Sequence, residues 1–301
     1  MTTLRQYLDK NRCADDLKKL IELIAQQAIP IRRAFITNQN YADTENIYGE
    51  QQAALDKWAD IHIINVLRDS KLVAEIASEE QPDIVKIPEA TSNYAVVMDP
   101  LDGSSLIQVN LCVGTIIGIY ENGSALQKGK DLTAAMYMLY GPMTVLTLTV
   151  GKGVCIFALN EEGEYILMEE GVKMPEGNLY GTGGLKPDWL DYHAEFIRRI
   201  ENAGSKLRYS GSFVADFHQI LKYGGIYCYP AVKGKEKGKL RLVFEANPLG
   251  FIAEQAGGAV TDGKRNLLEV KPDTPDQKTP VYIGSRGMIN KIQEIVLEYS
   301  S

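Results

Sequence analysis

Apolar residues at Leu17, Leu20, Ile21, Ile24 and Ala28 recur every three or four positions, the period of a helix with one buried face. Pro30 interrupts that segment, and a helix resumes through Ile31 and Phe35. A second helix is expected over about 51–67, where Asp56 and Asp60 share a face with Ile63 and Leu67. The period then changes. LVAEIA (72–77) and YAVVM (94–98) are short, nearly continuous apolar runs that read as strands buried on both sides. LCVGTIIGIY from Leu111 and the β-branched TVLTLTV from Thr144 extend the sheet. Past the glycines around 181–184 the pattern predicts helices near 189–200 and 213–221 and a strand near 225–229. KLRLVFE then leads into a helix around 249–255.

Strands and helices mix in both halves, with no internal repeat and no low-complexity linker. A layered α/β or α+β architecture is therefore expected, as two lobes sharing one interface, 1–175 and 176–301. The charge balance of 32 basic against 39 acidic residues, a formal charge of -7, is the wrong sign for gathering nucleic-acid phosphates. It does not exclude a phosphorylated small molecule, because cations held by carboxylates turn an acidic cleft into a phosphate site. Cys13, Cys112, Cys155 and Cys228 lie too far apart in sequence for a zinc knuckle or a redox dithiol, so reduced thiols are expected. No window approaches the ~18 apolar residues of a membrane span, and the opening MTTLRQYLDKNR lacks a leader's apolar stretch. A soluble, cytoplasmic protein with no nucleic-acid or membrane partner is expected. His62, His193 and His218 are well separated and read as structural.

The chemistry concentrates at Asp99-Pro100-Leu101-Asp102-Gly103-Ser104-Ser105, directly after the run YAVVM. Two carboxylates across a Pro turn can face one point, while Gly103 lets the backbone fold closely and the following N–H and hydroxyl groups can meet an anion. By itself the segment also fits a polar hairpin turn. Glu79 and Glu80 follow another short apolar strand, so four carboxylates can end at one sheet edge; taken alone they read as a solvated loop. Such an all-oxygen cluster suits Mg²⁺ or Mn²⁺ better than zinc. Asp56, heading an apolar helical stripe, fits a base poised to take a proton from water as well as it fits helix N-terminal charge.

GEQQAALDKWAD, ASEE and DPLDGSS together resemble the fructose-1,6-bisphosphatase family, within the lithium-sensitive, magnesium-dependent phosphatase superfamily. The resemblance continues through LRYSGSFVADFHQILKYGGIYCYPA, GKLRLVFEANPLGFIAEQAGG and TPVYIGS, in order and with similar spacing, and covers roughly Gly49 to the C-terminus. It implies a five-layer α/β/α/β/α sandwich and Mg²⁺-dependent release of the 1-phosphate of fructose 1,6-bisphosphate, leaving fructose 6-phosphate. It implies metal ligation by Glu79, Glu80, Asp99, Asp102, Glu245 and the Leu101 carbonyl, about two or three divalent cations per subunit, Mn²⁺ being an alternative to Mg²⁺. Asp56 would activate water with Glu80, and Gly103, Ser104 and Ser105 would cradle the 1-phosphate. Arg208, Tyr209, Tyr229 and Lys239 match the family's distal-phosphate positions, with the arginine crossing from a neighbouring subunit of a homotetramer. Without the resemblance, Lys233, Lys235, Lys237 and Lys239 read as a solvated loop.

The sequence departs from the family pattern in places. Gly183 stands where an Asn usually meets the distal phosphate, and Gly234 where Lys is frequent. A Gly-rich loop can offer backbone N–H groups instead or make room for a longer sugar, which keeps sedoheptulose 1,7-bisphosphate open as a substrate. An inositol-phosphate phosphatase usually takes its late ligand from a Trp-Asp pair, whereas Trp58 and Trp189 are followed by Ala59 and Leu190, and Glu245 has that role. A catalytically dead sugar-phosphate sensor has no need of the full set Asp56, Glu79, Glu80, Asp99, Asp102 and Glu245. Many family members are inhibited by AMP held at a helix N-terminus by a Lys-Tyr pair and an Arg. Here the helix opens Cys13-Ala14-Asp15-Asp16, and the Lys and Arg positions hold Asn93 and Glu121, so insensitivity to AMP is expected.

Overall fold

In the computed structural model, which describes residues 1–37, 41–45 and 51–300, helices and two large sheets stack alternately into five layers. The first sheet runs Tyr165–Glu170, Val154–Leu159, Thr144–Thr149, Leu132–Tyr140, Val113–Glu121, Tyr94–Asp102, Val73–Ser78, Val85–Lys86. Neighbours are antiparallel except Val73–Ser78 beside Tyr94–Asp102. Alternation along the strand sorts the side chains of Tyr94–Asp102. Tyr94, Val96 and Met98 pack with the outer helices Leu4–Lys10, Asp15–Gln26, Ala28–Thr37 and Ala54–Ser70, while Ala95 and Val97 join a central core. Burial on both faces is why these runs show no polar alternation.

The second sheet runs Lys206–Leu207, Leu179–Thr182, Gly225–Tyr229, Val281–Gly284, Ala259–Thr261. Tyr227 and Ile283 face the central core, which holds the helices Phe213–Tyr223 and Asn247–Gln255; Tyr227 stacks on Phe213 at 4.6 Å between ring centroids. Ile226, Cys228 and Tyr282 face the other way, onto the helices Asp191–Asn202 and Arg286–Glu298. His193 is one of the buried structural histidines, between Tyr282 Oη at 3.1 Å and Thr182 Oγ1 at 3.0 Å, and burial lowers its pKa to about 3. Among the described residues no helix is long and apolar enough to cross a membrane.

Two local readings change, and one strand joins those read from the sequence. The break before Pro30 falls at Gln27, and Pro30 sits in the first turn of Ala28–Thr37, where its missing N–H has no helical partner to lose. LTAAMYMLY, rich in helix-forming Ala, Met and Leu, is the strand Leu132–Tyr140, because a neighbour on each side and two apolar faces outweigh propensity. Of KLRLVFE only Leu240–Arg241 is extended; Leu242–Ala246 winds into a π-helical turn ahead of Asn247–Gln255. That turn carries Glu245, and such turns concentrate at functional sites.

Candidate active site

The parallel pairing of Ser78 with Met98 ends two strands at the same edge, where the Glu79 N–H donates to the Met98 carbonyl at 3.1 Å. On the other side of Tyr94–Asp102 the register slips: Asp99 faces Ile116 and Asp102 faces Gly114, so three steps on one strand answer two on its partner. In an unbroken strand residues three apart point to opposite faces. The extra residue of this bulge turns Asp99 and Asp102 toward the same side. The Leu101 N–H closes the bulge onto Asp99 Oδ1 at 2.9 Å, and Thr115 Oγ1 donates to the Pro100 carbonyl at 2.8 Å. Gly103 follows at φ +81°, and a Cβ there would lie 2.6 Å from Ser212 Cβ, so a side chain is excluded by both conformation and space.

Glu79, Asp99 and Glu245 each offer a carboxylate oxygen within 4.8 Å of the others'. Two come from the first-sheet edge and the third from the π-turn of the second half. Arg241, 3% exposed, links two of the three: its guanidinium meets Glu79 at 2.9 Å and its backbone N–H donates to Glu245 Oε2 at 2.6 Å. Asp102 stands beside the trio and joins the halves, since its Oδ2 accepts from Ser212 Oγ at 2.7 Å and from the Val214 N–H at 2.8 Å, at the start of Phe213–Tyr223.

Crowding of like charge shows in how these carboxyls hold their protons. Burial, then Glu79, Asp102 and Glu245, push the Asp99 carboxyl far above its ordinary pKa; burial, then Glu79 and Asp102, do the same to Glu245 against the pull of Arg241. Burial raises Asp102 to about 6 although Ser212 and Val214 favour its charged form. Asp99, Asp102 and Glu245, buried and with raised pKa values, stand with Glu79 as an all-oxygen set that suits a hard divalent cation, so the residues present fit one. The trio comprises three of the residues expected from sequence, with Leu101 and Asp102 adjoining in the same segment.

Asp56, 9% exposed, heads the helix Ala54–Ser70, and Ser104 Oγ donates to its Oδ2 at 2.8 Å. The Glu80 N–H donates to Ser78 Oγ at 3.4 Å, and Ser105 is exposed on the 3-10 turn Ser104–Val109. Tyr209 stacks on Tyr227 at 6.3 Å, and burial, then Tyr229, Asp216 and Asp102, raise its hydroxyl pKa to about 12. Lys239 Nζ lies 5.8 Å from the Tyr229 ring centre, and the exposed Arg208 guanidinium 5.9 Å from that of Tyr223. Gly183 neither opens space nor offers a free donor: a Cβ would fall 2.4 Å from Tyr229 Cε2, and its N–H donates to the Cys228 carbonyl at 2.9 Å.

Arg241 and Asp216 were not legible as site residues. Asp216 accepts the Ser210 N–H at 3.0 Å and the Gly211 N–H at 3.4 Å, shaping the loop that presents Arg208 and Tyr209. A single cation inside an apolar run, as in KLRLVFE, was the available signal for Arg241, because burial of a charge demands a partner.

A sequence profile described as "Fructose-1-6-bisphosphatase, N-terminal domain" matches residues 4–170, and one described as "Fructose-1-6-bisphosphatase, C-terminal domain" matches 174–297. The chain is 59% identical to a protein named fructose-1,6-bisphosphatase class 1 from Methanocorpusculum labreanum, over 98% of this chain and 92% of that one. It is 56% identical to the protein of that name from Methanospirillum hungatei, over 98% and 95%. The crystal structure of Leishmania major fructose-1,6-bisphosphatase in holo form superposes with a TM-score of 0.92 at 31% identity, covering 98% of each chain.

Proposed function

The chain belongs to the fructose-1,6-bisphosphatase family, a metal-dependent phosphoric monoester hydrolase acting on fructose 1,6-bisphosphate, and on that premise we propose that Mg²⁺ is its metal and the 1-phosphate the group released. The observation that carries this reading is the meeting of Glu79 and Asp99 with Glu245 within 4.8 Å, across the two halves of the chain. Glu79, Glu80, Asp99, Asp102, Glu245 and the Leu101 carbonyl would hold the metal. When bound, divalent cations supply positive charge to the phosphate oxygens and acidify the attacking water. Asp56 takes the proton that water gives up, and the Ser104 hydroxyl on its Oδ2 fixes the rotation of its carboxylate. The Gly103 turn, with Ser104 and Ser105, cradles the scissile phosphate.

Tyr209, Tyr229, Lys239 and Arg208 receive the distal phosphate, with Arg208 donated across a subunit interface of a homotetramer. The exposure of Arg208 supports that crossing, and recovery of activity on mixing inactive Arg208→Ala with inactive Asp102→Asn subunits tests it. The filled space at Gly183 favours fructose over sedoheptulose bisphosphate, because it removes the room and the donor that a longer sugar would use. Insensitivity to AMP is supported at the N-terminus of Asp15–Gln26, the second helix because Leu4–Lys10 precedes it, where the Asp16 carboxylate accepts from Ser92 Oγ. Glu121 pairs directly across from Tyr94, and burial, Glu121 and Asp16 raise the tyrosine's pKa, so a phosphate there meets the carboxylates of Glu121 and Asp16, the latter already paired with Lys19 at 3.1 Å. The test of the reaction is ³¹P NMR of fructose 1,6-bisphosphate with the protein and Mg²⁺. Fructose 6-phosphate and inorganic phosphate are expected; fructose 1-phosphate would contradict the proposed orientation.

A further inference from the structure

Asp60 lies one helical turn beyond Asp56 on Ala54–Ser70, is 1% exposed, and has no part in the reaction as described above. Its two oxygens are divided between the two ends of a single turn. Oδ1 accepts from Ser78 Oγ at 2.6 Å and Oδ2 accepts from Gln81 Nε2. The turn is closed by the Gln81 N–H on the Ser78 carbonyl at 3.1 Å, and its two middle residues are Glu79 and Glu80. Ser78 Oγ continues the chain of bonds by accepting the Glu80 N–H at 3.4 Å.

We propose that Asp60 is a positioning residue, a strap that holds the Ser78–Gln81 turn against the helix and so sets the spacing between the water-activating Asp56 and the metal ligands Glu79 and Glu80. A turn closed by one backbone bond has a defined shape but no defined orientation toward a neighbouring helix. A carboxylate on a rigid, buried helical turn supplies it, with one oxygen for each end. Burying that charge has a cost that an apolar side chain would avoid, and the two bonds it makes both go to the ligand-bearing turn. Groups that orient metal ligands through hydrogen bonds, without touching the metal, act in this way.

The inference rests on the metal reading above, and the test separates the two. Asp60→Leu accepts from neither side chain, which breaks both arms of the strap. Asp60→Asn keeps both, because its oxygen accepts from Ser78 and the Gln81 amide turns over to accept from its N–H₂ group. Mn²⁺ is titrated into metal-free protein and free ion followed by electron paramagnetic resonance, beside kcat and KM for fructose 1,6-bisphosphate at saturating Mg²⁺. Asp60→Leu is expected to weaken Mn²⁺ binding and lower kcat by about tenfold each, leaving KM within about twofold, and Asp60→Asn to retain most of both. Unchanged Mn²⁺ binding and kcat in folded Asp60→Leu, or an Asp60→Asn variant no better than Asp60→Leu, would overturn the proposal. Should Asp60→Leu not fold, Gln81→Ala, a truncation at a half-buried position, carries the same test, and wild-type behaviour there refutes the strap. Failure of the unaltered protein to bind Mn²⁺ would overturn the metal reading itself, before any substitution is made.

Discussion

Metal should stabilise this fold more as pH rises, and the size of the effect follows from the buried carboxylates. The Asp102 carboxyl moves from 3.8 to about 6 on folding without metal. At about 1.4 kcal/mol per decade of proton affinity, that is about 3 kcal/mol. Because the folded pKa is the higher one, the contribution is favourable and complete below pH 3.8 and is lost as pH climbs through about 6. Asp99 and Glu245, raised in the same direction, add to the loss. His193 and His218 act oppositely, since burial lowers them to about 3 and about 4 and the fold weakens as pH falls below 6.5. Their contribution is the same with and without metal, so the informative quantity is a difference. Melting temperatures measured in 10 mM Mg²⁺ and in EDTA should nearly coincide at pH 4.5 and separate by pH 7.5. Asp102 alone gives a gap of about 6 °C, at about 2 °C per kcal/mol for a chain of this length. A gap that is constant with pH, or that narrows toward neutrality, would refute the electrostatic reading of the cluster.

Gly183→Asn forces a Cβ to within 2.4 Å of the Tyr229 ring, so Tyr229 must move; KM for fructose 1,6-bisphosphate should rise about tenfold, about 1.4 kcal/mol, with metal activation unchanged. A lower KM would show that the distal pocket prefers the amide. Asp56→Asn should reduce kcat by about 10² while Mn²⁺ affinity, followed by electron paramagnetic resonance, stays nearly the same; full kcat would remove Asp56 as the base. AMP at millimolar concentration should leave the rate unchanged, and cooperative inhibition lost on Tyr94→Phe would show a nucleotide site among Asp16, Tyr94 and Glu121.

The buried strands announced themselves because a run such as YAVVM has no polar alternation, and DPLDGSS after it marked the edge where Asp99 and Asp102 stand. What brings those two carboxylates to one side is the bulge between Asp99 and Asp102, a property of pairing with Val113–Glu121 that the local residues do not reveal. Leu132–Tyr140 was hidden by its Ala and Met content, since tertiary burial decided against local propensity. Glu245 was legible as a ligand by resemblance, but not its π-turn, and Arg241 looked like one more charge in KLRLVFE until the fold set it against Glu79. Asp60 was visible on the face shared with Asp56, yet its role depends on a turn 18 residues away in sequence. Pairwise contacts between distant polar groups are where pattern reading stops.

The central claim, a sugar-bisphosphate site assembled from both halves around a metal-binding carboxylate cluster, is tested most directly by comparing kcat/KM for fructose 1,6-bisphosphate, sedoheptulose 1,7-bisphosphate and inositol 1-phosphate, each with Mg²⁺ and with EDTA. The account predicts that fructose 1,6-bisphosphate exceeds inositol 1-phosphate by at least about tenfold and that EDTA abolishes phosphate release from every substrate. Equal or better use of inositol 1-phosphate, or release that persists in EDTA, would contradict it.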